Sequence, residues 1–441
     1  MDTVLLARLQ FASTIMFHFI FAPLSIGLAC LIVWLAFVHW RTGDAKYQRM
    51  ARFWTTQLAL TFAVGAATGL TMEFQFGTNW SEYSKFVGDL FGPLLAAEVI
   101  FAFFLESTLL YSLVFGHRKL KPLMYLAVSV GVAGGSVLSA FWILVANSWM
   151  QTPAGYVLRN GRAELSSFLW AVFNPSMVQR FLHTTTGAVL TGCFFMLGVS
   201  AWLLLKGRAQ NMARYCLALG LIVGLLTSLG QLLFGHIHAI QVGATQPVKM
   251  AAFEGIYDDQ RYAPLLIFGI PDPAHDRLIY DIRIPSGLSI LLGLRPDHLV
   301  RGLHSFPRDT WPPIPLMFFP FHLMIALGFY FIAFTALGVF LLWRRALMTS
   351  RWYLWLAVLT VPLPFLANEL GWMAAEVGRQ PWLVYNVMRT REGVSTVVPA
   401  GHVWASLVIL SVVYLLLFIV WGVFIRRAIL TAPTAQEEEQ S

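Results

Sequence analysis

Apolar residues in this chain do not alternate with polar ones. They run in long blocks at roughly 12–40, 53–74, 91–115, 122–147, 181–205, 215–237, 316–343, 353–375 and 402–425. Each block reaches the length of about 20 residues that a helix needs to cross a bilayer. A lipid-exposed backbone must satisfy its polar groups internally, so the blocks predict helices. The expected fold is all-α, a polytopic membrane protein with about nine transmembrane helices. The first block is too long for a signal-peptide core and is read as retained.

With an odd number of spans the two ends face opposite sides. Basic residues crowd the short connections: Arg41, Lys46, Arg49 and Arg52; Arg118, Lys119 and Lys121; Lys206, Arg208 and Arg214; Arg344, Arg345 and Arg351; then Arg426 and Arg427. Short basic loops stay cytoplasmic, which places the N-terminus outside and the C-terminus inside. The long connections, rich in Trp, Pro and Gly, then face outward. The longest, at about 239–315, exceeds a passive connector. Residues 1–430 form one transmembrane domain on this reading, and 431–441, with Glu437, Glu438 and Glu439, read as a disordered cytoplasmic tail. No internal repeat supports a transporter of inverted halves.

Composition agrees. Of 441 residues 58% are apolar and 12% charged, about half the charge of a soluble domain. The net charge of +8 follows from topology, so nucleic acid is not an expected partner and membrane lipid is. Cys30, Cys193 and Cys216 fall inside apolar blocks without CxxC spacing and read as packing residues.

Ionisable groups within spans are costly, about 2.5–3.5 kcal/mol at the centre on insertion scales, and mark functional sites. His18, in Phe17-His18-Phe19, is either a hydrogen-bonded packing residue or a ligand. His183 precedes Thr184, Thr185, Thr186 and Gly187, small enough to leave room for a flat macrocycle. Glu98 and Glu106, eight residues apart, would stand about 12 Å apart along one helix and about 80° around it. That arrangement suits a proton relay, or two acids each paired with a neighbouring Arg or His. His322 and Met324 point to nearly opposite faces of their helix, about 200° apart, so only one can share a metal with His183. Glu369, Trp372 and Glu376 share one helical face. Arg379, one turn on, either pairs with Glu376 at the interface or leaves that carboxylate for an iron. The long outer loop opens with His236 and His238, read as interfacial. Beyond them lie Lys249 and Glu254, about 140° apart if helical and poorly placed for a mutual ion pair. They offer one donor and one acceptor to a polar ring-shaped substrate.

Together these residues resemble subunit I of the cytochrome bd quinol oxidases. The likeness runs through Arg8-Leu9-Gln10-Phe11, Met72-Glu73-Phe74-Gln75-Phe76-Gly77-Thr78-Asn79-Trp80 and Phe103-Phe104-Leu105-Glu106-Ser107. It continues in Asn147-Ser148-Trp149-Met150-Gln151-Thr152-Pro153, Gln246-Pro247 to Glu254-Gly255, and Gly378-Arg379-Gln380-Pro381-Trp382.

The resemblance implies a low-spin haem b held by His183 and Met324. It also implies a high-spin haem b and a haem d, or a haem b in its place, at His18 and Glu376. Glu98 and Glu106 would serve proton or haem contacts, Trp372 would pack on a ring, and Arg379 would stand beside the haems. Lys249 and Glu254 would bind ubiquinol or menaquinol in the outer Q-loop. The implied enzyme oxidises quinol at the outer face and reduces O2 to water with cytoplasmic protons, building a proton-motive force without pumping. It would sit in the bacterial inner membrane with a subunit II and, as a further candidate, a small single-helix accessory subunit. Two departures stand out: His322 replaces an arginine found in many members, and the Q-loop is of the short, cyanide-insensitive-like type. The rival classes are a cofactor-free ion-coupled transporter and a haem-b quinone-linked anchor.

Overall fold

The computed structural model describes residues 2–99, 104–116 and 119–432. Phe103, Arg118 and the predicted tail from 433 onward lie outside them. Among the described residues the apolar blocks fall on helices: α1 (Thr3–Thr42), α2 (Ala45–Thr78), α3 (Ser81–Ala97), α4 (Phe104–Gly116) and α5 (Pro122–Gln151) open the chain. A hairpin of β1 (Tyr156–Arg159) and β2 (Arg162–Leu165) and the short α6 (Phe168–Val172) lead to α7 (Met177–Leu205) and α8 (Gln210–Thr245). The long loop holds α9 (Pro247–Glu254), the antiparallel pair β3 (Leu265–Asp272) and β4 (Arg277–Ile284), and α10 (Gly287–Gly293). Then come α11 (Ile314–Trp343), α12 (Arg351–Thr360), α13 (Pro362–Val377), β5 (Trp382–Val384), β6 (Met388–Arg389) and α14 (Ala400–Leu430).

Among the described residues seven segments are long and apolar enough to cross a membrane: α1, α5, α7, α8, α11, α12 with α13, and α14. The second predicted block lies within α2. The third falls on α3 and α4, and residues 100–103 between them are outside the described chain.

Local chemistry sets the boundaries. Asp2 caps α1 by accepting from Val4 N–H at 3.0 Å. Gly43 ends that helix in the left-handed conformation at φ 70°, its N–H donating to the His39 carbonyl. Asp44 at once caps α2 through Lys46 N–H at 2.9 Å, so two long helices turn back on each other within two residues. Pro362 and Pro364 divide α12 from α13 because proline lacks the amide donor a continuous helix needs. Helix α8 runs on to Thr245, past the expected loop start near 239, and places His236 and His238 within the helix.

A buried cluster including Leu28, Ile32, Trp54, Leu58, Tyr125 and Met196 knits α1, α2, α5 and α7 together toward the basic connections. Cys193 and Cys216 are buried and free, and Trp54 Nε1 donates to Cys216 Sγ at 3.2 Å, in keeping with packing roles. In the short α7–α8 connection Arg208 Nη2 donates to the carbonyls of Leu430 (2.8 Å) and Ala432 (2.9 Å), closing the C-terminal end of α14. The long connections gather at the other end. There Tyr385 N–H donates to Met150 O, and Ser395 N–H to Asn79 O, both at 2.9 Å.

Candidate functional site

A cavity of about 2030 Å³ lies among α1, α2, α5, α7, α8, α11 and α13. A pocket for one drug-sized ligand is about 300–1,000 Å³, so this one has room for more than one large group. His18, Glu98, Glu106, His183, Lys249, Glu254, Met324, Trp372, Glu376 and Arg379 all line it.

Two of the cavity histidines, His18 and His322, have Nδ1 engaged and Nε2 free. Thr68 Oγ1 donates to the Val64 carbonyl at 2.9 Å. It therefore accepts from His18 Nδ1 at 3.0 Å, which leaves Nε2 with its lone pair. His322 Nδ1 likewise donates to the Phe318 carbonyl at 3.0 Å, leaving a buried Nε2 without a protein partner. His183 keeps an unpartnered buried Nδ1 and faces His238 at 5.9 Å between ring centroids. His236 and His238, expected at the interface, line the cavity from α8. Glycines shape the space beside these groups. A Cβ on Gly69 would lie 3.3 Å from His18 Cε1, one on Gly235 3.3 Å from His183 Cε1, and one on Gly371 2.8 Å from Met324 Sδ.

At one end Glu376 accepts from Arg379 Nη2 at 2.6 Å, from Asn147 Nδ2 at 2.9 Å and from Gln151 Nε2 at 3.2 Å. The pair is buried, with side-chain exposures of 13% and 6%, so the ion pair weighed from the sequence is present, within the cavity wall. Arg379 Nε and Nη1 and Arg180 Nε are buried and without protein partners. Arg180 also lines the cavity. It stands one turn before His183, and sequence reasoning missed it because the span was begun at residue 181; a cation three residues before a membrane histidine was the available signal.

Lys249 and Glu254 are buried on α9 and do not pair with each other among the described ion pairs. Lys249 Nζ donates to Gln151 Oε1 at 2.6 Å and Gln246 Oε1 at 2.7 Å. Burial holds its pKa well below the ordinary lysine value, and the nearby Arg180 guanidinium adds to that. Glu254 accepts from the Leu266 N–H at 3.2 Å. Burial pushes its carboxyl up to about 7, and that one hydrogen bond offsets only part of the rise.

Away from this end, Glu106 accepts from Ser136 Oγ and Glu98 from Ser139 Oγ at 3.0 Å. The two serines sit three residues apart on α5, a rise of about 4.5 Å. Both acids thus reach the same stretch of a neighbouring helix, and each takes a serine hydroxyl where an Arg or His was the alternative.

The unpartnered guanidinium N–H groups match the carboxylates that a haem carries. The free histidine nitrogens and the thioether match its axial positions. The residues present therefore fit iron porphyrins.

Fold and cavity together define a polytopic membrane protein that encloses large ligands between nitrogen, sulfur and carboxylate groups. Comparison with known proteins narrows this. The family model for cytochrome bd terminal oxidase subunit I matches residues 6–433. The chain is 38% identical to the cytochrome bd ubiquinol oxidase subunit 1 of Bacillus subtilis (strain 168), over 95% of this chain and 91% of that protein. It is 33% identical to the cytochrome bd-II ubiquinol oxidase subunit 1 of Escherichia coli (strain K12), over 100% of this chain and 98% of that one. The structure of bd oxidase from Geobacillus thermodenitrificans superposes with a TM-score of 0.91 at 31% identity, covering 97% of this chain and 98% of that one. The chain belongs to the cytochrome bd terminal oxidase subunit I family. It is a haem-dependent, multi-pass subunit of a quinol oxidase of the bacterial inner membrane, and as a first subunit it works beside a second.

Proposed function

We propose that this subunit oxidises quinol at Lys249 and Glu254 and carries the haems at which O2 becomes water. A low-spin haem b is assigned to His183 and Met324. A high-spin haem b and a haem d, or a haem b in its place, are assigned to His18 and Glu376. Haem, when bound, supplies one-electron transfer and an iron at which dioxygen is reduced.

The chain's own groups do the rest. Lys249 and Glu254 orient the quinol head group, and Glu254, poised near neutrality, accepts a proton from its hydroxyl. Gly69, Gly235 and Gly371 keep the cavity wall clear beside His18, His183 and Met324. Trp372 offers a flat apolar surface. Glu98 and Glu106, on Ser139 and Ser136, hold protons for water formation from the cytoplasmic side. Quinol protons leave outward while those for water come from inside, so charge separates without a pump.

The observation that carries this reading is one cavity lined by histidine nitrogens without protein partners, by unpaired guanidinium groups and by Lys249 and Glu254. Pyridine haemochrome analysis of the purified complex, run with an oxygen trace on added ubiquinol and menaquinol, tests it. Three haems and oxygen uptake on quinol support it, while a colourless complex or no uptake overturns it. The His322 tautomer favours one second reading, in which His322 Nε2, in place of Met324, would hold the low-spin haem together with His183.

A further inference from the structure

Gln151, the last residue of α5, is fully buried and joins two parts of the site that belong to different helices. Its Oε1 accepts from Lys249 Nζ at 2.6 Å and from Gln246 Nε2 at 3.1 Å. Its Nε2 donates to Glu376 Oε1 at 3.2 Å and, more weakly, to the Ala375 carbonyl at 3.4 Å. The orientation of this amide is fixed by its partners. Turned over, it would set an NH2 against the Lys249 amine and a carbonyl against the Glu376 carboxylate, a clash of donors at one end and of acceptors at the other. Gln246 touches Lys249 and Gln151, and Asn147 touches Glu376. Among the hydrogen bonds of the described residues, Gln151 is the side chain bonded to both Lys249 and Glu376.

We propose that Gln151 is a positioning residue that ties the quinol head-group site to Glu376, so that occupancy at Lys249 is felt at the haem which Glu376 holds. A hydrogen-bonded amide between an amine donor and a carboxylate acceptor is polarised by both, and a change at one end alters its bond at the other. A ligand that draws Lys249 Nζ away from Gln151 Oε1 weakens the Nε2–H donation to Glu376. The carboxylate then becomes a stronger donor toward iron. This rests on the proposed function above and adds the coupling to it.

The test uses the whole purified complex. Adding decylubiquinone to the air-oxidised wild-type enzyme, where no electron is transferred, shifts the visible bands of a high-spin haem. In Gln151→Met, which keeps length and loses all four side-chain hydrogen bonds, the complex retains its haem, the shift disappears, and KM for decylubiquinol rises about tenfold, the size of one hydrogen bond. Gln246→Met removes the other Lys249 acceptor, raising KM while keeping the shift. A merely structural Gln151 would lower haem content without selectively uncoupling band position from quinone. A shift that persists in Gln151→Met, or its absence from the wild-type enzyme, overturns the coupling. The wild-type measurement stands even where the variant fails to assemble, and Gln151→Asn then serves in its place. Failure of the underlying reading looks different: Lys249→Ala would leave KM unchanged.

Discussion

Gly27 and Gly192 meet backbone to backbone where α1 crosses α7. A Cβ built on Gly27 would lie 2.7 Å from Gly192 N, and one on Gly192 2.5 Å from the Gly27 carbonyl carbon, distances no side chain tolerates. Small residues let membrane helices approach this closely. Each glycine lies nine residues after the histidine its helix supplies, His18 on α1 and His183 on α7, so this crossing sets where both histidines stand.

Gly192→Val is therefore expected to destabilise the subunit by about 1–3 kcal/mol, the cost of overpacking a filled interface, and to lower haem content. Thermal unfolding in detergent and a haemochrome assay measure the two. Full haem with wild-type stability would show that the contact is not needed.

Axial ligation is read from reduced-minus-oxidised spectra. His183→Ala is expected to remove the low-spin signal. Met324→Leu should move or abolish it, and His322→Leu should leave it in place. The reverse outcome for the last two variants assigns the ligand to His322.

For Glu254 the direction of pH dependence is fixed. Its pKa is raised from 4.5 to about 7 in the folded protein. Between those values the native state holds a proton that the unfolded chain has released, so its contribution to stability falls as pH rises through that window. Quinol oxidation follows the opposite course, because only the ionised carboxylate accepts a proton. The rate should climb as pH passes about 7, and Glu254→Gln should be slow and flat across that range. Initial oxygen-uptake rates measured from roughly one pH unit below that pKa to one above it would reject the assignment if the variant kept the wild-type rise.

Removing one member of the buried Glu376 and Arg379 pair leaves an uncompensated charge, worth about 3–5 kcal/mol. Arg379→Met is expected to fall in that range. The double variant Glu376→Gln with Arg379→Met should recover much of the stability without recovering the haem assigned to Glu376. Recovery of both would reduce the pair to a structural role.

Hydropathy alone made most of the membrane architecture legible, since every predicted block falls on helix in the described residues. The end of α8 was not legible: His236 and His238 interrupt the apolar pattern, yet their side chains turn inward to the cavity, where no lipid penalises them. Individual site residues could be picked out because a charge inside a span is conspicuous. Their partners could not. Asn147, Gln151 and Gln246 are ordinary polar residues in sequence, and their importance comes from hydrogen bonds across helices far apart in the chain. Glu98 and Glu106 show the same limit, for their shared destination on α5 depends on how α3 and α4 lie against that helix.

Arg180 and Arg379 both lie within electrostatic reach of Glu376, so two guanidinium groups share one carboxylate where solvent screening is weak. Any centre lodged beside them gains an electron more readily than it would in neutral surroundings, because reduction adds the negative charge this corner lacks. With a haem held at Glu376 as proposed, the two arginines would raise its reduction potential before any substrate arrives and so steepen the downhill path of respiration.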